Sequence, residues 1–113
     1  MNRATPLSVL LARRARLIAQ QPPWTALFRG SLMRYATRCG YRGCRCHTAK
    51  QFRHGPYWYF VIHHGPGRQR PYAIVAAKVP AVRAGRRAYD RLWRGLVQIA
   101  ELNFRILKAQ GPR

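Results

Sequence analysis

The chain has almost no acid. Asp90 and Glu101 are its two carboxylate side chains, against 19 Arg and 3 Lys in 113 residues. Two isolated acids supply neither the carboxylate cluster of two-metal phosphoryl chemistry nor the acid pair of a glycosidase. Cysteine is nearly as scarce: the three thiols, Cys39, Cys44 and Cys46, all fall within eight residues. An odd number of cysteines with no secretory signal ahead of them argues against a disulfide framework. Long apolar runs are missing too, since no stretch approaches the roughly 18 residues of a membrane span. The apolar N-terminal stretch is interrupted by Arg13-Arg14 and lacks a small-residue cleavage site, unlike a signal peptide. These absences lead us to expect a cytoplasmic protein with no membrane partner. The shortage of acids and bases leads us to expect no enzymatic activity.

What the chain does have is positive charge. Its formal net charge is +20, so few of its cations can find an internal partner, and a polyanion is the first partner to consider. Arginine predominates, which suits forked contacts to phosphate and stacking on bases better than point-charge attraction. The plain alternative is a soluble basic surface, but charge at this density draws nucleic acid in any case.

The stretch from Arg38 to Tyr59 concentrates the remaining chemistry. Cys39, Cys44 and Cys46 lie in it together with His47 and His54, and three thiolates with one imidazole form a standard tetrahedral donor set for structural Zn2+. Gly40 and Gly43 allow the chain to turn between the first two thiols. Either histidine can be the fourth ligand. His47 adjoins Cys46, and neighbouring side chains on extended backbone point apart, so His54, which can curl back, is preferred. The spacing is not that of a standard paired finger, and three plain thiols beside incidental histidines is the alternative reading. Four good donors suggest a closed structural site rather than a catalytic one with an open position.

Around this stretch, Thr5-Pro6 reads as an N-cap followed by proline at the first helical position. Leu7, Leu10, Leu11, Ala15 and Ile18 recur at helical spacing, which predicts a helix over about Pro6–Gln20, closed by Pro22-Pro23. The mixed segment Trp24–Tyr35 predicts a short helix or turn leading into the cysteines. Tyr57–His63, dense in aromatic and β-branched residues, and Gln69–Ala76 predict a β-hairpin across His64-Gly-Pro-Gly-Arg68. Alternation puts Tyr57, Tyr59, Val61 and His63 on one face and Trp58, Phe60, Ile62 and His64 on the other. Adjacent His63 and His64 therefore cannot chelate one ion from one face. The aromatics can stack on unpaired bases beside Arg53, Arg68 and Arg70, but a place in the core is their commoner use. Ala81–Ala109 predicts a long helix with Tyr89, Leu92, Leu96, Ile99 and Ile106 on its stripe, flanked by Trp93, Ala100 and Leu107. Asn103 lies on that seam, where a polar residue can fix the register of a helix pair. A basic first half of this helix opposes the helix dipole.

The pattern Gly-Ser-Leu at 30–32, Cys-Gly-x-x-Gly-Cys-x-Cys at 39–46 and His-Gly-Pro-Tyr at 54–57 resembles a family of small prokaryotic proteins. That family is catalogued only as a domain of unknown function and is sometimes encoded near mobile elements. The resemblance covers about Gly30 to Leu107. It implies that Cys39, Cys44, Cys46 and His54 belong together, and it brings no activity with it.

The resulting expectation is an α+β protein in which a zinc knuckle and β-hairpin pack with an N-terminal helix and a long C-terminal helix. Residues 1–29 would form a basic helix and linker, and 30–113 one compact domain. Arg38, Arg42, Arg45, Arg53, Arg68, Arg70, Arg83, Arg86, Arg87, Arg91 and Arg94 are the candidate contacts to nucleic acid. RNA is favoured over duplex DNA, because no helix offers a clear base-reading set for the major groove. The alternative is an accessory or scaffolding subunit of a transposase, nuclease or other nucleoprotein assembly, docking through its last helix. Dimerisation through that helix is a further possibility.

Overall fold

A computed structural model of the chain describes residues 5–111; Met1–Thr5, which ahead of the Pro6 helix start is expected to fray, lies outside this range but for its last residue. Five main elements follow in order: helix α1 (Leu7–Ala19), strands β1 (Gly30–Thr37), β2 (His54–Gly65) and β3 (Arg68–Ile74), and helix α2 (Val79–Ala109). The fold is α+β. The residues divide into two units, one formed by the chain up to Leu27 and from Arg87 onward, the other by Phe28–Arg86. No helix among the described residues is long and apolar enough to cross a membrane.

The first unit is helical. Pro6 is the N-cap of α1, with an extended ψ of 146°, so the helix begins one residue later than a Thr5 cap would start it. The Pro6 carbonyl accepts the first bonds, from the Val9 and Leu10 amides. Two prolines after Gln21 cannot continue the helix, and the chain leaves it at Ala19. Leu10, Leu102 and Ile106 form the core, with Leu7 and Leu17 packed against it. Burial along α2 in this unit falls on Ala88, Leu92, Gly95, Leu102 and Ile106, a stripe at three- and four-residue steps. Leu96, expected on the stripe, is 46 % exposed, and Leu102 takes a core place instead. Asn103 does link the two helices: its side-chain oxygen accepts a 2.8 Å bond from Arg14.

The second unit is a three-stranded antiparallel sheet, ordered β1-β2-β3, with the first turns of α2. The expected hairpin is present as β2 and β3. What the sequence reading missed is β1: only Trp24–Ala26 forms a short 3-10 turn, and Gly30–Thr37 is a strand rather than a turn or helix. Its pairing with the aromatic strand, Leu32 opposite Phe60 and Tyr35 opposite Tyr57, overrides the weak strand propensity of its Gly, Ser and Arg residues.

One sheet face is packed. Phe60 is 6 % exposed, and Phe28 meets it edge-on with ring centroids 5.9 Å apart. Val79 and Val82 of α2 are buried, while Arg86 donates a 2.8 Å bond from Nε to the Gly30 carbonyl. Pro80 sits within the first turn of α2, where its missing amide costs the helix nothing. On the same face the guanidinium carbons of Arg34 and Arg83 lie 5.6 and 5.4 Å from the centre of the Trp58 ring.

Candidate metal centre

The connection between β1 and β2 runs from Arg38 to Arg53 with two single 3-10 turns and no longer element of its own. A structureless loop of about this length within a compact unit calls for some other constraint. Its ends supply one. Cys39 stands two residues after β1, His54 is the first residue of β2, and Cys44 and Cys46 lie between them.

These four side chains converge, with their donor atoms all within 4.8 Å of one another. Cys46 Sγ is 3.6 Å from Cys39 Sγ, and Cys44 Sγ is 3.3 Å from His54 Nε2. Zinc–sulfur bonds of about 2.3 Å and a zinc–nitrogen bond of about 2.0 Å, set tetrahedrally, place donors roughly 3.5 to 3.8 Å apart. Those two spacings are close to these edges, the remaining ones reach at most 4.8 Å, and three thiols with one imidazole are the soft and borderline donors such an ion takes. The residues present fit a tetrahedral metal ion.

The surroundings are graded. Cys46 is buried, Cys39 and Cys44 are partly exposed, and His54 faces solvent. The backbone amide of Cys46, and then the His54 imidazole, hold the Cys44 thiol down at about 6 against an ordinary 9.0. Burial pushes the Cys46 thiol up. The Cys39 amide donates to Cys46 Sγ at 3.3 Å, a bond that favours the thiolate a metal needs.

Of the two histidines, His54 is the one that stands with the three thiols. His47 lies on the 3-10 turn Arg45–His47, and its Nε2 is 3.0 Å from the Cys39 carbonyl. A carbonyl only accepts, so Nε2 carries the proton, and His47 is engaged with the backbone of Cys39 rather than grouped with the thiols. Arg45 on the same turn covers the Phe52 ring at 4.0 Å.

The arginines divide by what they touch. Arg38, Arg42, Arg68 and Arg70 are exposed around the sheet and its loop, and Arg53 is half-buried. Arg45 and Arg83 are exposed but rest on aromatic rings. Arg86, bonded to Gly30, is taken up by the fold. Arg87, Arg91 and Arg94 belong to the helical unit and are exposed on α2. His63 and His64 point to opposite faces: the first is 3.5 Å from Ser31 Oγ, the second 3.5 Å from the Tyr72 hydroxyl. Sequence reasoning missed Arg34 and Tyr35, because the signal that would have found them was the strand β1 itself.

Residues 7–83 match the model of a family described as Domain of unknown function (DUF6788). The match takes in α1, the sheet, the cysteine loop and the start of α2. No curated protein and no solved structure matches the chain.

Proposed function

Because the chain belongs to the DUF6788 family, whose description carries no activity, we propose from its own residues that it is a zinc-stabilised nucleic-acid-binding protein. The observation that carries this reading is the charge of the sheet unit. Residues 28–86 contain ten Arg and two Lys and no acid at all, since Asp90 and Glu101 both lie outside them. No cation in that unit has a carboxylate of its own unit to pair with, and desolvating so many against a protein surface would be costly. A phosphate backbone supplies one negative charge at every step and returns its counterions to solution.

Zinc suits the cysteine loop better than a hard cation. Thiolates favour soft or borderline ions, and a closed set of four donors has a structural role. The ion would hold Cys39 at the end of β1 against His54 at the start of β2, and so present Arg38, Arg42, Arg45 and Arg53 on a fixed loop instead of a floppy one. RNA is favoured over duplex DNA, because the exposed arginines surround an aromatic sheet and no helix carries an evident major-groove reading set.

A salt titration tests the reading. Binding through about 6 to 10 phosphate contacts loses roughly three to five decades of affinity between 50 and 200 mM salt. Affinity that is weak at low salt and flat across that range would overturn it.

A second reading, docking of α2 on a further protein chain, is favoured by one specific feature. Trp93, Leu96, Val97, Phe104 and Leu107 are between 45 and 64 % exposed and, at intervals of three, one, seven and three residues, share one side of α2, a second apolar stripe that the core does not use. Both acids of the chain flank it. Asp90 precedes Trp93 by three residues, Glu101 follows Val97 by four, and Lys108 follows Phe104 by four, so all three neighbour the stripe. An antiparallel pair of such helices crossing at Ile99 would set Asp90 of one copy opposite Lys108 of the other, twice by symmetry. The occupant this arrangement fits first is a second copy of the chain.

A further inference from the structure

The two faces of the sheet are treated differently by the fold. Along β2, Phe60 is buried beneath Phe28 and the start of α2, while its neighbours Tyr59 and Val61 stay partly exposed. Tyr57, on the same side as these two, is 50 % exposed, and Met33, paired with Tyr59 on that side, is 46 % exposed. On β3, Gln69, Pro71 and Ala73, which pair with His63, Val61 and Tyr59 on that side, are all exposed. The face opposite the helix is therefore open, and its centre is aromatic. Tyr35 and Tyr59 lie nearly parallel, with ring centroids 4.3 Å apart and planes 18° from one another. Tyr57 pairs with Tyr35 across the strands.

Its chemistry is not that of a missing piece of core. Tyrosine brings a broad flat surface with a hydroxyl at its tip, and His63 with Ser31 gives the far end of the face a polar edge. Charge then selects the occupant. At the tyrosine end of the sheet Thr37 pairs with His54, so Arg38, the next residue after Thr37, and Arg53, the residue before His54, stand beside the aromatic patch. The patch belongs to the unit that contains no acid. Flat π-surface bordered by unpaired guanidinium groups is the combination that single-stranded nucleic acid binds, bases on rings and phosphates on cations.

On the premise that the protein binds nucleic acid, we propose that the open sheet face takes unpaired nucleotides, one base stacking on Tyr57 and a second on the Tyr35–Tyr59 pair, with Arg38 and Arg53 holding the intervening phosphates. The metal loop sets the geometry, because Cys39 and His54 fix the strand ends that carry those two arginines. Bases are recognised by their faces here, so the site discriminates single strands from duplex and is tolerant of sequence.

The test uses the full-length, metal-loaded protein and fluorescence anisotropy with three labelled probes: an oligo(U), an oligo(dT) of equal length and a DNA hairpin duplex of equal charge. Stacking worth about 1 to 3 kcal/mol per base corresponds to roughly a 5- to 150-fold loss of single-strand affinity for Tyr57→Ala. Duplex affinity and the salt slope are expected to stay as in the native protein. Tyr57→Phe and Tyr59→Phe, which keep the rings, are expected to bind single strands within about twofold of native, since stacking needs only the π-face. Loss on both single strands supports stacking alone; loss on oligo(U) with little on oligo(dT) supports the platform and adds a contact to the 2′-hydroxyl. Equal affinity of Tyr57→Ala and native protein for both single strands, with bound metal retained, overturns the platform and leaves nucleic-acid binding intact. Failure of the native protein to bind any of the three probes at low salt overturns the premise along with it.

Discussion

Cys44 Sγ lies 3.3 Å from His54 Nε2, across ten residues of chain. The contact joins the middle of a long loop to the first residue of the central strand, so whatever holds the two together also decides how that strand begins. A metal ion is the direct candidate. The purified protein is expected to carry about one zinc per chain, and Cys44→Ser and His54→Ala are each expected to lose it. His47→Ala, which removes only the support beneath the Cys39 carbonyl, should keep the stoichiometry but weaken affinity by about 10- to 100-fold. Elemental analysis with competitive chelation reads all three; zinc-free, well-folded native protein would remove the centre.

The thiols of the metal-free protein should differ sharply in acidity. Cys44 is held at about 6 by the Cys46 amide and His54, so its alkylation by iodoacetamide should rise with pH through a midpoint near 6, and Cys46, pushed up by burial, should react last. A thiol with its folded value below the ordinary 9.0 stabilises the folded chain fully above that ordinary value, and the contribution fades as pH falls through about 6. Mass-spectrometric mapping of the modified cysteines against pH checks the order; equal rates for Cys44 and Cys46 would contradict it.

The two stripes of α2 should respond differently to truncation. Leu102 is 4 % exposed in the helical core, and Leu102→Ala is expected to cost about 2 to 5 kcal/mol. Leu96, at 46 % exposure, should cost less than about 1 kcal/mol when cut back to alanine, in keeping with a surface site. Urea unfolding of the two variants against native protein at one chain concentration makes the comparison.

If a second copy covers the outer stripe, light scattering after size exclusion should give twice the 13.1 kDa chain mass. Phe104→Glu should return the protein to a single chain without loss of bound metal, because Phe104 is 61 % exposed and lies outside the sheet unit. A native protein that runs as a single chain at every concentration would leave the stripe to another partner.

Gly30 has a tighter constraint than its place in an ordinary strand suggests. A Cβ there would run into the Val61 carbonyl oxygen and come within 2.9 Å of the Phe60 ring. Gly30→Ala is expected to destabilise by about 1 to 3 kcal/mol through overpacking, whereas Gly40→Ala, with nothing within 4 Å, should change stability by less than about 0.5 kcal/mol. Thermal melts of the metal-loaded variants distinguish the two.

Much of this was legible in the chain itself, and the reason is local. Helical periodicity placed both helices, because the spacing of Leu7 to Ile18 and of Leu92 to Ile106 repeats over several turns. Aromatic and β-branched density placed β2, and crowding of donors marked the four metal-binding candidates, since ligands that share an ion must come close and these are close in sequence already. The charge of the chain needs no fold to be counted.

Tertiary structure decided what periodicity leaves open. Gly30–Thr37 became a strand because β2 offered it a ladder of hydrogen bonds and Phe60 a partner for Leu32, neither of which the segment contains. His54 rather than His47 joined the cysteines because the return of the chain into β2 aims it at them, while the turn at Arg45–His47 aims His47 at a carbonyl. Two apolar stripes on one helix have the same period in sequence, and only α1, by packing on Leu102 and Ile106, determined which of them is core. The sheet settled its aromatics in the same way: alternation gave two equivalent faces, and the start of α2 covered the one with Phe60 and left Tyr57 in the open, because burial is a property of what packs above a residue and not of the residue alone.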